Sequence, residues 1–290
     1  MADKVTGPLG PRRHVAAALK QLREDSGKLL SDVAGDLMIS TSKLSRLENA
    51  QGRPLPRDIR DLIRYYDIQR TPLADRLQGW VRAAQRRGWW TDFDDQVVEG
   101  LDAHLAYEED ATVERTYTLP FVPALLQTED YARAVYREME QRSEDEVRQL
   151  LEVRQVRRQA LVKRSGLPPL ELVAVTYEST LRQRVGSPQI LADQLDALVE
   201  QSQAPNVRLH VLPFEAKPVF SMTCMWAYFE YEGVGDLEQD VVHLETPAGF
   251  WSIEDPARVA EYRKAHNALV EASLNEDESR TLIDEVRAGL

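Results

Sequence analysis

The stretch that decides the N-terminal fold is LLSDVAGDLMISTSKLSRLENAQGRPLP, residues 29–56. Its first half carries Val33 and Leu37 at helical spacing behind Ser31, whose hydroxyl can cap a short helix. Residues 38–40 separate this helix from a second apolar repeat and are expected to form a turn. The pattern predicts two short helices joined by a tight connection.

The second half of the stretch predicts a helix that begins after Ser40, because this serine can cap it while Leu44 and Leu47 share its inner face. In a helix-turn-helix the second helix lies in the major groove, with its N-terminal residues against base edges. Glu48 is expected to anchor the following loop, because a carboxylate that faces phosphate is unfavourable. The predicted DNA contacts of this helix are Ser40, Thr41, Ser42, Lys43 and Arg46.

Charge is distributed unevenly along the 290 residues, whose net charge is −12. Residues 1–88 hold 17 Lys and Arg against 10 Asp and Glu, a net charge of +7. Residues 89–290 hold the remaining 19 against 38, which gives −19. A basic segment joined to an acidic one indicates that a polyanion binds at one end only. We therefore predict a domain over residues 1–88 that binds double-stranded DNA, followed by an acidic domain over residues 89–290.

Further segments with helical spacing lie on both sides of residues 29–56. Apolar side chains recur at helical spacing in residues 12–25, 57–66 and 73–81, so the first domain should hold about five short helices. The motif Val33-Ala34, Leu37, Ser40 and Ser42 to Glu48 resembles the DNA-binding domain of the Xre family of lambda-repressor-like regulators. Members of that family often place a polar residue that contacts phosphate at the start of the second helix, so the resemblance implies a DNA contact for Ser31. That family usually has glycine where Met38 stands, which implies another turn type or a strain of roughly 1 kcal/mol. The alternative is a helical bundle for protein contacts with a solvated basic face.

The acidic half predicts an α+β domain, so the whole chain is expected to be mostly α with a small mixed sheet in its second domain. A helix within residues 89–115 is expected to bridge the two domains. Further helices are predicted after Thr128, which can cap the first of them, and over residues 143–163, 187–202 and 256–274, with a short one near Arg280. Strands are predicted over residues 170–175, 207–213, 224–231 and 241–245. The strand-helix-strand order of residues 170–213 indicates one crossover between neighbouring strands.

Two long segments of this half, residues 119–136 and 177–214, resemble the C-terminal domain of the actinobacterial WhiJ-like group of Xre-type regulators. The Pro-Gly-Leu-Leu-Gln-Thr motif of that group reads Pro123 to Thr128 here, with Ala124 in place of glycine. The resemblance implies an antitoxin-like transcriptional regulator, of a kind often encoded beside a small partner protein.

Aromatic and methionine side chains crowd the segment around the third predicted strand and the residues that follow the fourth. They are Phe220, Met222, Met225, Trp226, Tyr228, Phe229, Phe250 and Trp251. Such side chains can line an apolar pocket for a small signal or a groove for a partner protein. Strand periodicity equally allows alternate members to form the core. The candidate pocket comprises Phe220, Met222, Met225, Trp226, Tyr228 and Trp251, and all three interpretations stay open.

No catalytic or cofactor-binding motif is recognisable in the sequence. The 5 histidines lack metal-binding spacing, and no phosphate-binding glycine loop or nucleophile elbow occurs. We therefore expect no enzyme activity, metal or cofactor. The single cysteine, Cys224, cannot form an internal disulfide and fits a reducing compartment. Because no apolar span or secretory signal is seen, the expected location is the cytoplasm, without membrane contact.

Three functions are compatible with these features. The first is a sequence-specific transcriptional regulator whose C-terminal domain binds a partner or signal, acting as a homodimer because paired half-sites supply affinity that one small module lacks. The second is an antitoxin-like module that sequesters a small partner protein and binds DNA for autoregulation. The third is a regulator that responds to a small molecule.

Overall fold

A computed structural model describes residues 5–93, 100–138, 141–219, 224–232, 240–246 and 249–290. The described residues divide into two compact units. The first lies within Met1–Thr91, Asp102–Asp110 and Tyr231–Gln239, and the second within Asp92–Leu101, Ala111–Glu230 and Asp240–Leu290. Two residues of the candidate pocket, Phe220 and Met222, fall outside the described residues.

Five α-helices lie within the described residues 5–93, as the sequence predicts. They are α1 (Gly10–Asp25), α2 (Leu30–Asp36), α3 (Thr41–Glu48), α4 (Pro56–Tyr65) and α5 (Pro72–Ala84). Helices α1, α4 and α5 each have a proline in the first turn, where its missing N–H group would have no partner within the helix. Helix α1 packs against α3 and α5, and α2 packs against α3.

One apolar core holds these helices together. Its buried members are Val15, Ala18, Leu19, Val33, Ala34, Leu44, Leu47, Ile59, Leu62, Ile63, Ala74, Leu77 and Val81. Burial of one leucine side chain stabilises a fold by about 1.5–3 kcal/mol. Because Leu44 and Leu47 are both buried, this energy fixes one face of α3 inward and leaves the opposite face outward.

The predicted bridging segment, residues 89–115, is not one continuous helix. Its described residues form a 3-10 turn (Trp89–Phe93), a short helix α6 (Leu101–Glu108) and the start of a strand at Val113. Gly100 has a φ of +98°, which lies outside the helical region, so α6 begins only after this residue. The strand follows because Val113, Thr116 and Thr118 are β-branched residues.

The described residues of the second unit are built on a mixed sheet with six strands. Its strands are β1 (Val113–Thr118), β2 (Glu171–Tyr177), β3 (Val207–Leu212), β4 (Trp226–Glu230), β5 (Val241–Thr246) and β6 (Gly249–Ile253). They lie in the order β3-β2-β1-β4-β5-β6. Strands β1, β2 and β3 run parallel, and β4, β5 and β6 extend the sheet with antiparallel pairs. The four predicted strands are confirmed to within two residues, and β2 and β3 are joined through a helical crossover as expected.

Within the described part of the second unit there are six further α-helices. They are α7 (Glu129–Glu138), α8 (Glu144–Arg158), α9 (Glu178–Arg182), α10 (Pro188–Gln201), α11 (Pro256–Ala272) and α12 (Glu276–Ala288). Helix α11 packs on the sheet through Val259 and Leu269, which are buried beside Val175 of β2. The predicted fold class, mostly α with an α+β C-terminal domain, is confirmed, although the helix near Arg280 is longer than expected.

Two strands, β1 and β6, have no counterpart in the predictions. Strand β1 reads VERTYT and is central, because it pairs with both β2 and β4. Glu114 and Thr116 are buried within it, so polar residues interrupt the apolar pattern that marks a buried strand. Strand β6 reads GFWSI and lies at the edge of the sheet, where its side chains stay partly or largely exposed.

Candidate nucleic-acid interface

The connection between α2 and α3 adopts the turn that glycine usually makes. Met38 has a φ of +53°, and its side chain is 92% exposed. The N–H of Met38 donates to the carbonyl of Gly35 (3.1 Å) and that of Ile39 donates to the carbonyl of Ala34 (3.0 Å). This pair of bonds is a Schellman motif, which ends α2 and redirects the chain into α3. The sequence allowed either another turn type or a strained left-handed Met38, and the structure has the second.

Ser40 caps α3, as predicted. Its hydroxyl accepts a hydrogen bond from the backbone N–H of Lys43 at 3.2 Å, and its own backbone is extended. An N-cap of this kind satisfies one of the donors that the first helical turn leaves free. It thereby fixes the residue at which α3 begins, and with it the direction of the side chains in its first turn.

The outward face of α3 carries the predicted DNA contacts. Thr41, Ser42 and Arg46 are exposed, and Arg46 forms no ion pair within the described residues. Lys43 is held differently, because its ammonium group lies 2.8 Å from the carboxylate of Asp58 in α4. Its side chain keeps 37% of its surface exposed. Among these four side chains, the hydroxyl groups and the Arg46 guanidinium are therefore the more available donors.

Ser31 does not cap α2, contrary to the expectation. The helix begins at Leu30, so the N-cap is Leu29 and Ser31 lies within the first turn. The carboxylate of Asp32 accepts from the N–H of Leu29 at 3.2 Å and serves the helix start in place of a serine hydroxyl. Ser31 is exposed, and its contact with a DNA phosphate stays a prediction.

Glu48 anchors α3 to α1, and not to the loop that follows as expected. The Nε of Arg23 lies 2.9 Å from both carboxylate oxygens of Glu48. The Glu48 side chain is 3% exposed and that of Arg23 is 16% exposed, so the ion pair is largely buried. Burial, and secondarily the Glu48 carboxylate, raise the pKa of Tyr66 to about 12. This ion pair joins the end of α1 to the end of the helix that carries the candidate interface.

Of the candidate pocket residues that the structure describes, two lie in the core of the second unit and one lies exposed on the edge strand. Trp226 and Tyr228 are buried in the apolar core with Val242 and Leu269. The hydroxyl of Tyr228 donates to Asp240 at 2.5 Å and accepts from Arg263 at 2.7 Å. Met225 is half-buried, whereas Trp251 on β6 is exposed.

The Pro123–Thr128 motif is tied into the second unit by hydrogen bonds. The amide of Gln194 in α10 donates to the carbonyl of Leu126 (2.9 Å) and accepts from the N–H of Thr128 (2.7 Å). Gln127 is buried and donates to the carbonyl of Val122 at 2.7 Å. Thr128 in turn accepts from the N–H of Tyr131 at 3.3 Å, which confirms its predicted cap on α7. The motif therefore shapes the connection from β1 to α7.

One histidine of the second unit, His266, is buried in α11 beside the sheet. Its Nε2 lies 3.3 Å from the carbonyl oxygen of Val173, and its ring meets Trp226 edge-on with centroids 5.5 Å apart. Burial, and secondarily the positive charge of Arg115, lower the pKa of His266 to about 4. The imidazole is therefore neutral at pH 7 and forms part of the core.

The described helices include none with both the length and the apolar character that crossing a membrane requires.

The arrangement of α2, the Met38 turn and α3 defines a helix-turn-helix, and a helix-turn-helix domain model matches residues 14–76. The protein is thus a DNA-binding regulator of the helix-turn-helix class. A second model, described as a domain of unknown function (DUF5753), matches residues 101–285, and the chain belongs to that family. No curated protein and no solved structure matches the chain.

Proposed function

We propose that the protein is a sequence-specific transcriptional regulator that reads the major groove with the first two turns of α3. The observation that carries the proposal is the outward face of α3, where Thr41, Ser42 and Arg46 are exposed beside a capped helix start. Arginine donates two hydrogen bonds to guanine O6 and N7, and hydroxyl groups bond to several bases or phosphates. The +7 charge of residues 1–88 supplies attraction to the duplex.

We further propose that the regulator acts in the cytoplasm as a homodimer without catalytic activity. A single helix of eight residues reaches few base pairs, and two copies on paired half-sites raise both affinity and specificity. Half-sites should lie about 10 base pairs apart, or a multiple of this spacing, so that both copies of α3 face the same side of the duplex.

Genome-wide chromatin immunoprecipitation of the tagged full chain, followed by footprinting of the bound sites, tests this proposal. We expect discrete sites that contain an inverted repeat. On a plot of the logarithm of the binding constant against the logarithm of the salt concentration, the slope should be negative, by roughly 0.9 for each phosphate contact. Uniform occupancy without discrete sites would refute sequence-specific regulation.

For the second unit we propose that it binds a partner protein, as the WhiJ-like, antitoxin-like resemblance implies. The −19 charge of residues 89–290 favours a basic partner, and the exposed Trp251 offers an aromatic contact on an edge strand. A small-molecule signal is less favoured, because Trp226 and Tyr228 pack in the core. Co-purification with a basic protein encoded next to this chain tests this part, and a partner that binds equally well after Trp251→Ala would exclude Trp251 from the contact.

A further inference from the structure

Arg12, near the start of α1, has an unusual environment in the first unit. Arg12 is only 9% exposed, and its Nε and Nη2 atoms are buried and have no hydrogen-bond partner among the described residues. These two nitrogens share one edge of the guanidinium group, which is the edge that donates two parallel hydrogen bonds to a carboxylate or phosphate. A buried charge without a partner is strongly unfavourable. The environment of Arg12 therefore points to an anion as its missing partner.

A second guanidinium group lies beside the first. Arg53 stands in the loop between α3 and α4, and its Nη2 donates to the hydroxyl of Thr6 at 2.9 Å. A Cβ atom built on Gly7 would lie 3.3 Å from Nη2 of Arg12 and 3.5 Å from Nη2 of Arg53, so these two nitrogens are within about 7 Å of each other. An oxyanion with hydrogen bonds of about 2.8 Å on each side bridges such a gap.

Gly7 keeps the space beside these two groups open. Its backbone is buried, and a side chain there would meet the carbonyl oxygen of Arg86 at 2.5 Å. A residue with a Cβ atom would therefore both clash with the backbone and fill the gap between the guanidinium groups. Only glycine allows the chain to pass so close to them.

Within the described residues, the charged groups beside the gap are the guanidinium groups of Arg12 and Arg53. Burial, and secondarily the charge of Arg53, lower the pKa of Arg12. Asp110 forms its ion pair with Arg86 at 3.3 Å, and no carboxylate pairs with Arg12 in the described part of the chain. Among the residues that the structure describes, the fold therefore holds two guanidinium groups together with no carboxylate bonded between them.

We propose that Arg12 and Arg53 bind a phosphate group in the gap beside Gly7. The guanidinium edge of Arg12 forms the floor of the site, and the exposed Arg53 closes it from solvent. The phosphate comes either from the DNA backbone, since the loop of Arg53 leaves the C-terminal end of α3, or from a free phosphate ion. The DNA source rests on the proposed function, whereas binding of free phosphate does not.

The first arm of the test measures the melting temperature of the full chain in sodium phosphate and in sodium chloride of equal ionic strength. We expect phosphate at about 10 mM to raise the melting temperature by roughly 3 °C in the parent protein. This rise should disappear in Arg53→Gln and in Arg12→Met, which keeps the apolar stem but removes the buried charge. The matched control is Arg70→Gln. Arg70 is also exposed but stands before the start of α5, whereas Arg86, whose carbonyl oxygen lies beside Gly7, follows the end of that helix.

The second arm measures how the affinity for a bound DNA fragment depends on salt. If the phosphate belongs to DNA, Arg53→Gln should lower the log-log salt slope by about 0.9, whereas Arg70→Gln leaves it unchanged. A lost response to phosphate with an unchanged slope identifies free phosphate as the ligand. The proposal is overturned if Arg53→Gln matches the parent in both arms. DNA binding that depends on α3 would be unaffected by that result. Failure of the phosphate site can therefore be distinguished from failure of the proposed DNA-binding function.

Discussion

Glu48→Ala is expected to lower the free energy of unfolding of the N-terminal helices by about 3 kcal/mol. The substitution leaves the guanidinium group of Arg23 largely buried without the carboxylate that it contacts at 2.9 Å. A buried charge that loses its partner keeps its desolvation penalty and loses the compensating attraction. Urea denaturation of the full chain, followed by helical circular dichroism, measures the loss.

The double variant Arg23→Met with Glu48→Leu is the control for this ion pair. Both charges are removed together, so no unpaired charge remains in the core and most of the lost stability should return. The affinity for DNA should likewise fall in Glu48→Ala and recover in the double variant, because α3 is held to α1 through this ion pair. If Glu48→Ala unfolds within about 0.5 kcal/mol of the parent, the ion pair does not hold α3 in place.

Acid should destabilise the second unit through His266. The pKa of His266 in the folded chain is about 4, below its ordinary value of 6.5, because burial disfavours the charged ring. The unfolded chain therefore binds more protons between these two values. The stability that neutral His266 contributes is complete above pH 6.5, falls as the pH drops from 6.5 to 4, and stops changing below 4. At 1.36 kcal/mol per pH unit the total is roughly 3 kcal/mol.

His266→Gln isolates this contribution, because glutamine keeps a donor for the carbonyl of Val173 but does not titrate. We expect the difference in unfolding free energy between parent and variant to shrink steadily as the pH is lowered from 6.5 to 4. Carboxylates that titrate in the same range are common to both proteins and cancel. Parallel stability curves for the two proteins would show that His266 does not remain neutral in the fold.

The sequence predicted the helices of the first unit because their apolar residues recur at helical spacing. It left two alternatives for the end of α2 and did not predict the left-handed residues that end α3 and α4. Met38, Ala50 and Asp67 all have positive φ angles just after α2, α3 and α4. Sequence reasoning looks for glycine at such positions, since other residues are strained there. Packing and backbone hydrogen bonds determine where these helices end. No single residue type in the sequence indicates such contacts.

The candidate interface was predicted in part. The cap of Ser40 and the inward face of α3 follow from local rules, so they were predictable from spacing alone. The ion pairs of Lys43 with Asp58 and of Arg23 with Glu48 join residues 15 and 25 positions apart, and such tertiary partners leave no local pattern. Arg12 reads as an ordinary helix residue, and only the fold reveals that its guanidinium group is buried beside Arg53.

In the second unit, the aromatic residues of β4 show why pocket and core are hard to separate by sequence. Trp226 and Tyr228 alternate with Ala227 and Phe229, so strand periodicity places them on one face but does not say what covers that face. Helix α11, which arrives some thirty residues later, covers it. Which strand or helix packs on a given face is a property of the topology, and the order of strands in this sheet differs from their order in the sequence.

The most direct test of the account is the ratio of affinities for a mapped operator and for unrelated DNA, measured with Arg46→Ala and with Arg70→Ala in the full chain. Arg46 lies on the outward face of α3, and Arg70 is an exposed arginine outside this helix. We expect Arg46→Ala to lower this ratio by roughly tenfold or more, as loss of a guanine contact does, while Arg70→Ala leaves it unchanged. An unchanged ratio in Arg46→Ala, with operator binding intact, would contradict the reading of DNA by this face of α3.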